Sequence, residues 1–201
     1  MGPEAVVRDA LRERVLAAIN GARDTVDELW VPRSHERADL AVIGRSLDGF
    51  EIKTERDTLR RLPRQIDAYG RLFDRCSVVV AEKHYDEATA LLPDWWGITT
   101  VHVNGEVSFT EVREPRRNPG LDPEILVRLL WKDEVTIALV KLGGDPDERA
   151  SRGSLWRDLL EAASLTQLRA AVRRALLDRD PARARIATRR FTVAAATQAA
   201  R

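Results

Sequence analysis

The chain has 201 residues, enough for one domain with an accessory element or for two small ones. Lysine plus arginine (33) nearly balance aspartate plus glutamate (32), so the total charge argues for no polyanionic partner and only a local concentration of one sign could. No apolar stretch approaches the ~20 residues of a membrane span. The first twenty residues mix acids and arginines, unlike a signal peptide, so a cytoplasmic protein is expected. The single cysteine, Cys76, excludes a disulfide framework and argues against a thiolate zinc site.

From Glu4 to Ile19, Val7, Leu11, Val15 and Ala18 recur at three- and four-residue intervals, which predicts an amphipathic helix ended by Asn20-Gly21. Val26 to Val31 reads as a short strand before Pro32. Two apolar runs, Ala38 to Ile43 and Leu47 to Lys53, flank Gly44-Arg45-Ser46 and predict an antiparallel hairpin. Leu59, Leu62, Ile66, Tyr69 and Leu72 follow at helical spacing, and Pro63 puts the regular start of that helix near Leu62.

Cys76 to Ala81 is a continuous β-branched run, expected as a central strand buried on both faces and reached by a helical crossover. Tyr85 to Leu92 reads as helix. Ile98 to Val103 and Glu106 to Val112 read as strands joined at Asn104-Gly105. Pro115 to Pro123 looks like a linker. Beyond it the pattern is helical only, near Pro123 to Trp131, Glu134 to Leu142, Ser154 to Ala163 and Thr166 to Leu177. After Leu168 the chain carries Arg169, Arg173, Arg174, Arg179, Arg183, Arg185, Arg189, Arg190 and Arg201 against Asp178 and Asp180 alone. The expected organisation is therefore an α/β core over residues 1–115, an all-helical extension over 120–178 and a basic tail over 179–201, either mobile or ordered by a partner.

Chemistry concentrates in the hairpin. Glu51 and Lys53, two apart on one strand, share a face, while Phe50 and Ile52 turn to the other and can pack. Asp39 alternates in the same way against Leu40, and hairpin pairing can bring it beside Glu51. Two carboxylates offer hard oxygen ligands to Mg2+ or Mn2+, and an adjacent ammonium can stabilise a phosphorane-like transition state. Glu-x-Lys on a strand is usually a solvated ion pair. Here, however, lysine occurs only at 53, 83, 132 and 141 in an arginine-rich chain, which singles Lys53 out.

The run Arg37-Ala38-Asp39-Leu40, then Gly49-Phe50-Glu51-Ile52-Lys53, then Gln65-Ile66-Asp67-Ala68-Tyr69, resembles the signature of the PD-(D/E)XK nuclease superfamily. Within it the chain is similar to a family of largely uncharacterised bacterial and phage proteins over about Glu28 to Trp95-Trp96-Gly97. Ala38 stands where the signature has proline. The resemblance implies a restriction-endonuclease-like αβββαβ core with a mixed central sheet. It also implies a metal on Asp39 and Glu51, Lys53 assisting the water, and Gln65 with Tyr69 as the Gln-x-x-x-Tyr pair on one helix face. Glu28 matches an upstream acid that could complete the metal shell, with Glu13 and Glu36 as competitors.

Arg56, Arg60, Arg61 and Arg64 follow the catalytic strand and are candidate phosphate contacts, a solvated helix face being the alternative. His84 reads as a surface residue at a strand end, and Trp95-Trp96 as packing in preference to base stacking. The expectation is a Mg2+- or Mn2+-dependent deoxyribonuclease serving DNA repair, phage defence or mobile-element biology, with DNA as partner and the C-terminal helices available for a homodimer. The alternatives are a non-catalytic nucleic-acid-binding or regulatory module on the same fold, and a protein-interaction module whose C-terminal helices dock a partner.

Overall fold

Alternation of apolar side chains in the two hairpin strands divides the sheet into two faces, and each face recruits its own helix. In the computed structural model, which describes residues 2–19, 21–147 and 149–180, the chain is an α/β protein with C-terminal helices. It separates into two compact units, Met1–Leu126 and Val127–Arg201.

The first unit contains α1 (Pro3–Ala18), β1 (Asp24–Trp30), β2 (Arg37–Ile43), β3 (Leu47–Lys53), α2 (Leu62–Gly70), β4 (Arg75–Ala81), α3 (Tyr85–Leu91), β5 (Gly97–Asn104) and β6 (Glu106–Arg113). A short 3-10 turn, Glu82–His84, precedes α3. The six strands lie side by side in chain order. β1, β2 and β3 run antiparallel, β3, β4 and β5 parallel, and β5 and β6 antiparallel. The parallel step from β3 to β4 is bridged by α2, as a parallel connection requires. β4 is interior to the sheet and buried from Cys76 to Ala81, in agreement with its unbroken apolar sequence.

On one face Val7, Leu11 and Val15 of α1, one turn apart, pack with Leu40, Val42, Phe50, Ile52, Val79 and Val101 into a single core cluster. On the other face lie Glu51 and its α2 neighbours, with Tyr69 of α2 packed edge-on to Phe73 at 5.4 Å and stacked on Trp96 at 5.8 Å. Both Tyr69 and Trp96 are fully buried, which bears out packing as the role of the second tryptophan. The expected linker is tied into this unit. Arg116 N–H reaches Trp95 O, Asn118 bonds to Asp74, Gly70 and Phe73 carbonyls, and Asp122 N–H reaches Arg71 O. The compact α/β unit therefore runs past residue 115 to Leu126.

The second unit holds α5 (Lys132–Lys141), α6 (Arg152–Ala162) and α7 (Leu165–Asp178), with α4 (Pro123–Val127) crossing the boundary. Ser151 caps α6 through the Ser154 N–H, and Ser164 with Gln167 forms a capping box on α7, which fixes where the two helices start. Arg179, grouped by sequence with the basic tail, belongs to this unit. Its guanidinium bonds both Glu134 oxygens at 2.8 Å and stacks over Trp131 at 4.3 Å. The basic stretch 181–201 lies outside the described residues. No helix among the described residues is long and apolar enough to cross a membrane.

Gly49 is fixed by the α2 face. A Cβ there would come within 2.5 Å of the Phe73 ring, so the strand can lie under the segment that follows α2 only without a side chain at this point. Gly49→Ala is expected to cost about 1–3 kcal/mol, the usual penalty of overpacking. Urea unfolding checks it; an unchanged midpoint would show that Phe73 moves aside freely.

Candidate functional site

The hairpin register that packs Leu40 against Phe50 brings Asp39 level with Glu51. At that point the Asp39 carboxylate accepts the Ile52 backbone N–H at 2.7 Å. Because opposed residues of an antiparallel pair face the same way, Asp39, Glu51 and Lys53 share the face opposite α1. Lys53 is the last residue of β3. The chain turns away immediately after it, where Asp57 accepts from both the backbone N–H and the hydroxyl of Thr54 at 2.7 and 2.6 Å.

Glu51 is 1% exposed. Three donors from two elements satisfy it: Lys53 Nζ at 2.5 Å and Gln65 Nε2 at 2.5 Å on one oxygen, and the Tyr69 hydroxyl on the other. The Tyr69 hydroxyl also reaches the Arg37 carbonyl at 2.6 Å. Gln65 and Tyr69, four apart on α2, thus act on one carboxylate, as their common helix face predicts. Burial, with the Glu51 and Asp39 charges beside it, raises the Tyr69 phenol well above its ordinary range, which keeps it a donor.

Two neighbouring carboxylates, Glu51 buried and Asp39 half-buried, oppose each other's ionisation. Burial first, then the Glu51 charge, pushes Asp39 up to about 7 against the pull of the Ile52 N–H and Lys53. Glu51 is also raised, by burial, against its own donors. The oxygens that could hold a hard divalent cation are the two carboxylates and the buried Gln65 carbonyl oxygen, which has no hydrogen-bond partner among the described residues; Lys53, bonded to Glu51, would have to give way to such an ion. It is a set of two acids. Among the described residues no group of three His, Cys, Asp or Glu is arranged to hold a metal ion.

Glu28, expected as a third ligand, is not brought to the pair. It lies in β1 across from Asp39, between the registered pairs Asp27–Leu40 and Leu29–Ala38, but in a left-handed conformation with φ of 51°. Its oxygens face Arg37 at 3.1 Å and Arg8 at 3.8 Å. The competitor Glu36 is buried against Arg61 at 2.6 Å, and Glu13 is exposed on α1. The helix acid that does act on Asp39 is Glu4, whose charge helps to raise it. Nothing in the sequence marks Glu4, because its proximity depends on how α1 crosses the sheet.

Arg56, Arg60, Arg61 and Arg64 are all exposed on the segment that follows β3. Arg61 is committed to Glu36. His84, expected at the surface, is 8% exposed, because the 3-10 turn after β4 folds it inward. Cys76 is buried and reduced in β4, as expected.

The match that decides the family covers nearly the whole chain: the family model described as bacteriophage P4 protein cII spans residues 5–196. The chain belongs to that family. Protein cII of Enterobacteria phage P4 is 29% identical to it over 119 residues, which is 59% of this chain and 45% of that protein. The chain therefore spans less than half the length of this curated relative. Among solved structures, a protein of unknown function from Silicibacter pomeroyi superposes with a TM-score of 0.46 at 19% identity, over 60% of this chain and 76% of that one.

A pH dependence follows from Asp39. Its carboxyl is raised in the folded state, so between about 4 and about 7 the folded chain binds more protons than the unfolded one, and stability falls as pH rises through that window. Asp39→Asn removes the penalty. The variant should exceed the parent by on the order of 2 kcal/mol at pH 8, about half of what the full shift would give, since half-buried Asp39 is partly screened by water. At pH 4 the two should be nearly equal. Urea midpoints at the two pH values, measured in EDTA, check this; a gap independent of pH would contradict it.

Proposed function

We propose that this chain is a metal-dependent deoxyribonuclease of the PD-(D/E)XK type, built on a restriction-endonuclease-like core. The observation that carries the proposal is the convergence of Asp39, Glu51 and Lys53 on one sheet face, with Gln65 and Tyr69 of α2 both bound to Glu51. Support also comes from the element order α1, β1, β2, β3, α2, β4, which follows the αβββαβ plan of that superfamily.

In this reading Asp39 and Glu51 hold a magnesium- or manganese-type ion. When bound, such an ion supplies a water of lowered pKa and neutralises charge on the phosphate. The remaining work belongs to the chain. Lys53 brings an ammonium next to the carboxylates, where it can meet negative charge gathering on the scissile phosphate. Gln65 and Tyr69 hold Glu51 in one rotamer, so the acidic pair does not reorganise when substrate arrives. Arg56, Arg60 and Arg64, exposed beside the site, can take backbone phosphates without reading sequence.

A structural salt bridge would explain Lys53 and Glu51 alone. It would not explain why Asp39, raised by burial and by Glu51, shares the same face, since a second acid there costs stability unless a cation or substrate uses it.

The purified chain is expected to cut labelled single-stranded, duplex or branched DNA with Mg2+ or Mn2+ and to be silent in EDTA. Asp39→Ala and Lys53→Ala should each lose about 100-fold or more in rate while keeping the parent's circular dichroism. Cutting by either variant at the parent's rate would remove that residue from the mechanism. DNA binding without cutting under every metal would replace the nuclease by a non-catalytic binding module.

A further inference from the structure

The helical unit carries a cluster that the hydrolytic reading does not use. Trp156 of α6 donates its indole N–H to the Leu130 carbonyl at 3.1 Å, which fixes the ring. Two guanidiniums lie over that ring, Arg128 at 5.0 Å and Arg152 at 4.7 Å from its centroid. Among the described residues neither has a carboxylate in ion-pair contact, whereas Arg12, Arg61, Arg71 and Arg179 all do.

Two details set this cluster apart from an ordinary stabilising stack. The Arg128 Nε is buried and finds no acceptor among the described residues, so the indole stack holds this partly buried guanidinium and that N–H ties it to no protein oxygen. Arg152 is the first residue of the eleven-residue α6, where the helix dipole is positive and a cation is disfavoured. Stability alone would favour an acid at that position. An exposed arginine there, beside a second arginine without a carboxylate partner among the described residues and on the same fixed indole, gathers two positive charges in one place.

We propose that Arg128 and Arg152, held on Trp156, form a phosphate-binding site through which the helical unit grips a nucleic-acid backbone. Guanidinium forks match phosphate oxygens bidentately, and stacking on the indole orients both forks in advance. With both centred within 5.0 Å of one ring centroid, they can serve neighbouring phosphates of one strand. The contact reads no bases and adds grip without sequence preference. It needs neither metal nor Lys53, so it stands or falls apart from the nuclease reading.

The test is fluorescence anisotropy of short labelled single-stranded and duplex DNA, in EDTA, with the full chain, Arg152→Gln and the double variant Arg128→Gln/Arg152→Gln. At ~0.1 M salt the double variant should bind at least about fivefold more weakly. Its slope of log affinity against log salt on duplex should be shallower by about 1.8, the counterion release of two phosphate contacts. Arg152→Gln alone should give about half that change in slope without lowering the melting temperature, and it carries the test if the double variant does not fold. A parent without affinity for either DNA, or variants with the parent's affinity and slope, overturn the proposal and leave the cluster a staple. Inorganic phosphate separates the remaining source of anion. If it protects the parent but not the variants from thermal unfolding, while all bind DNA alike, the site takes a free anion and the nucleic-acid assignment falls.

Discussion

Burial of the Glu51 carboxylate is the constraint on which the first unit turns. A carboxylate at 1% exposure survives only if its oxygens are met by donors, and each donor here makes a demand on the fold. Lys53 must follow two residues later on the same strand. Gln65 and Tyr69 must lie four apart on a helix that crosses that face. Tyr69 must then be sealed by Phe73 and Trp96, and Phe73 leaves no room for a Cβ at Gly49. The hairpin, the crossover helix and the glycine thus all meet at one buried acid.

Asp39 makes the arrangement electrostatically expensive. Its carboxyl sits near the middle of the physiological range because burial and Glu51 both disfavour its charge, and the single ammonium of Lys53 is already engaged by Glu51. A protein that needed only a stable core would place an apolar residue at either position. In the proposed function this acidic pair is where a hard cation and a phosphate diester would bind, on the same residues that set the packing. In this member of the phage P4 cII family the constellation lies in the first 126 residues.

Much of this was legible in the sequence because it rests on short-range periodicity. The two-residue repeat places Glu51 with Lys53, the turn at Gly44-Arg45-Ser46 sets the register that faces Asp39 to Glu51, and Pro63 starts α2 so that Gln65 and Tyr69 share a face. What escaped depends on tertiary geometry. Glu28 aligns with the site in register, but its left-handed backbone and the arginines at 8 and 37 hold its carboxylate elsewhere. His84 is turned inward by a 3-10 turn that a single apolar run does not announce. Glu36 and Arg61, twenty-five positions apart, form a buried pair that no local pattern encodes. Composition made Arg179 part of a basic tail, yet Glu134 and Trp131 bind it into the helical unit.

The proposed nuclease requires Asp39 and Glu51 to form one cation site. Mn2+ binding followed by electron paramagnetic resonance, with the melting temperature read in parallel at pH 8, tests it most directly. A bound ion that raises the melting temperature of the parent is expected, with both effects lost in Asp39→Asn. Equal binding by parent and variant, or none by either, would contradict it.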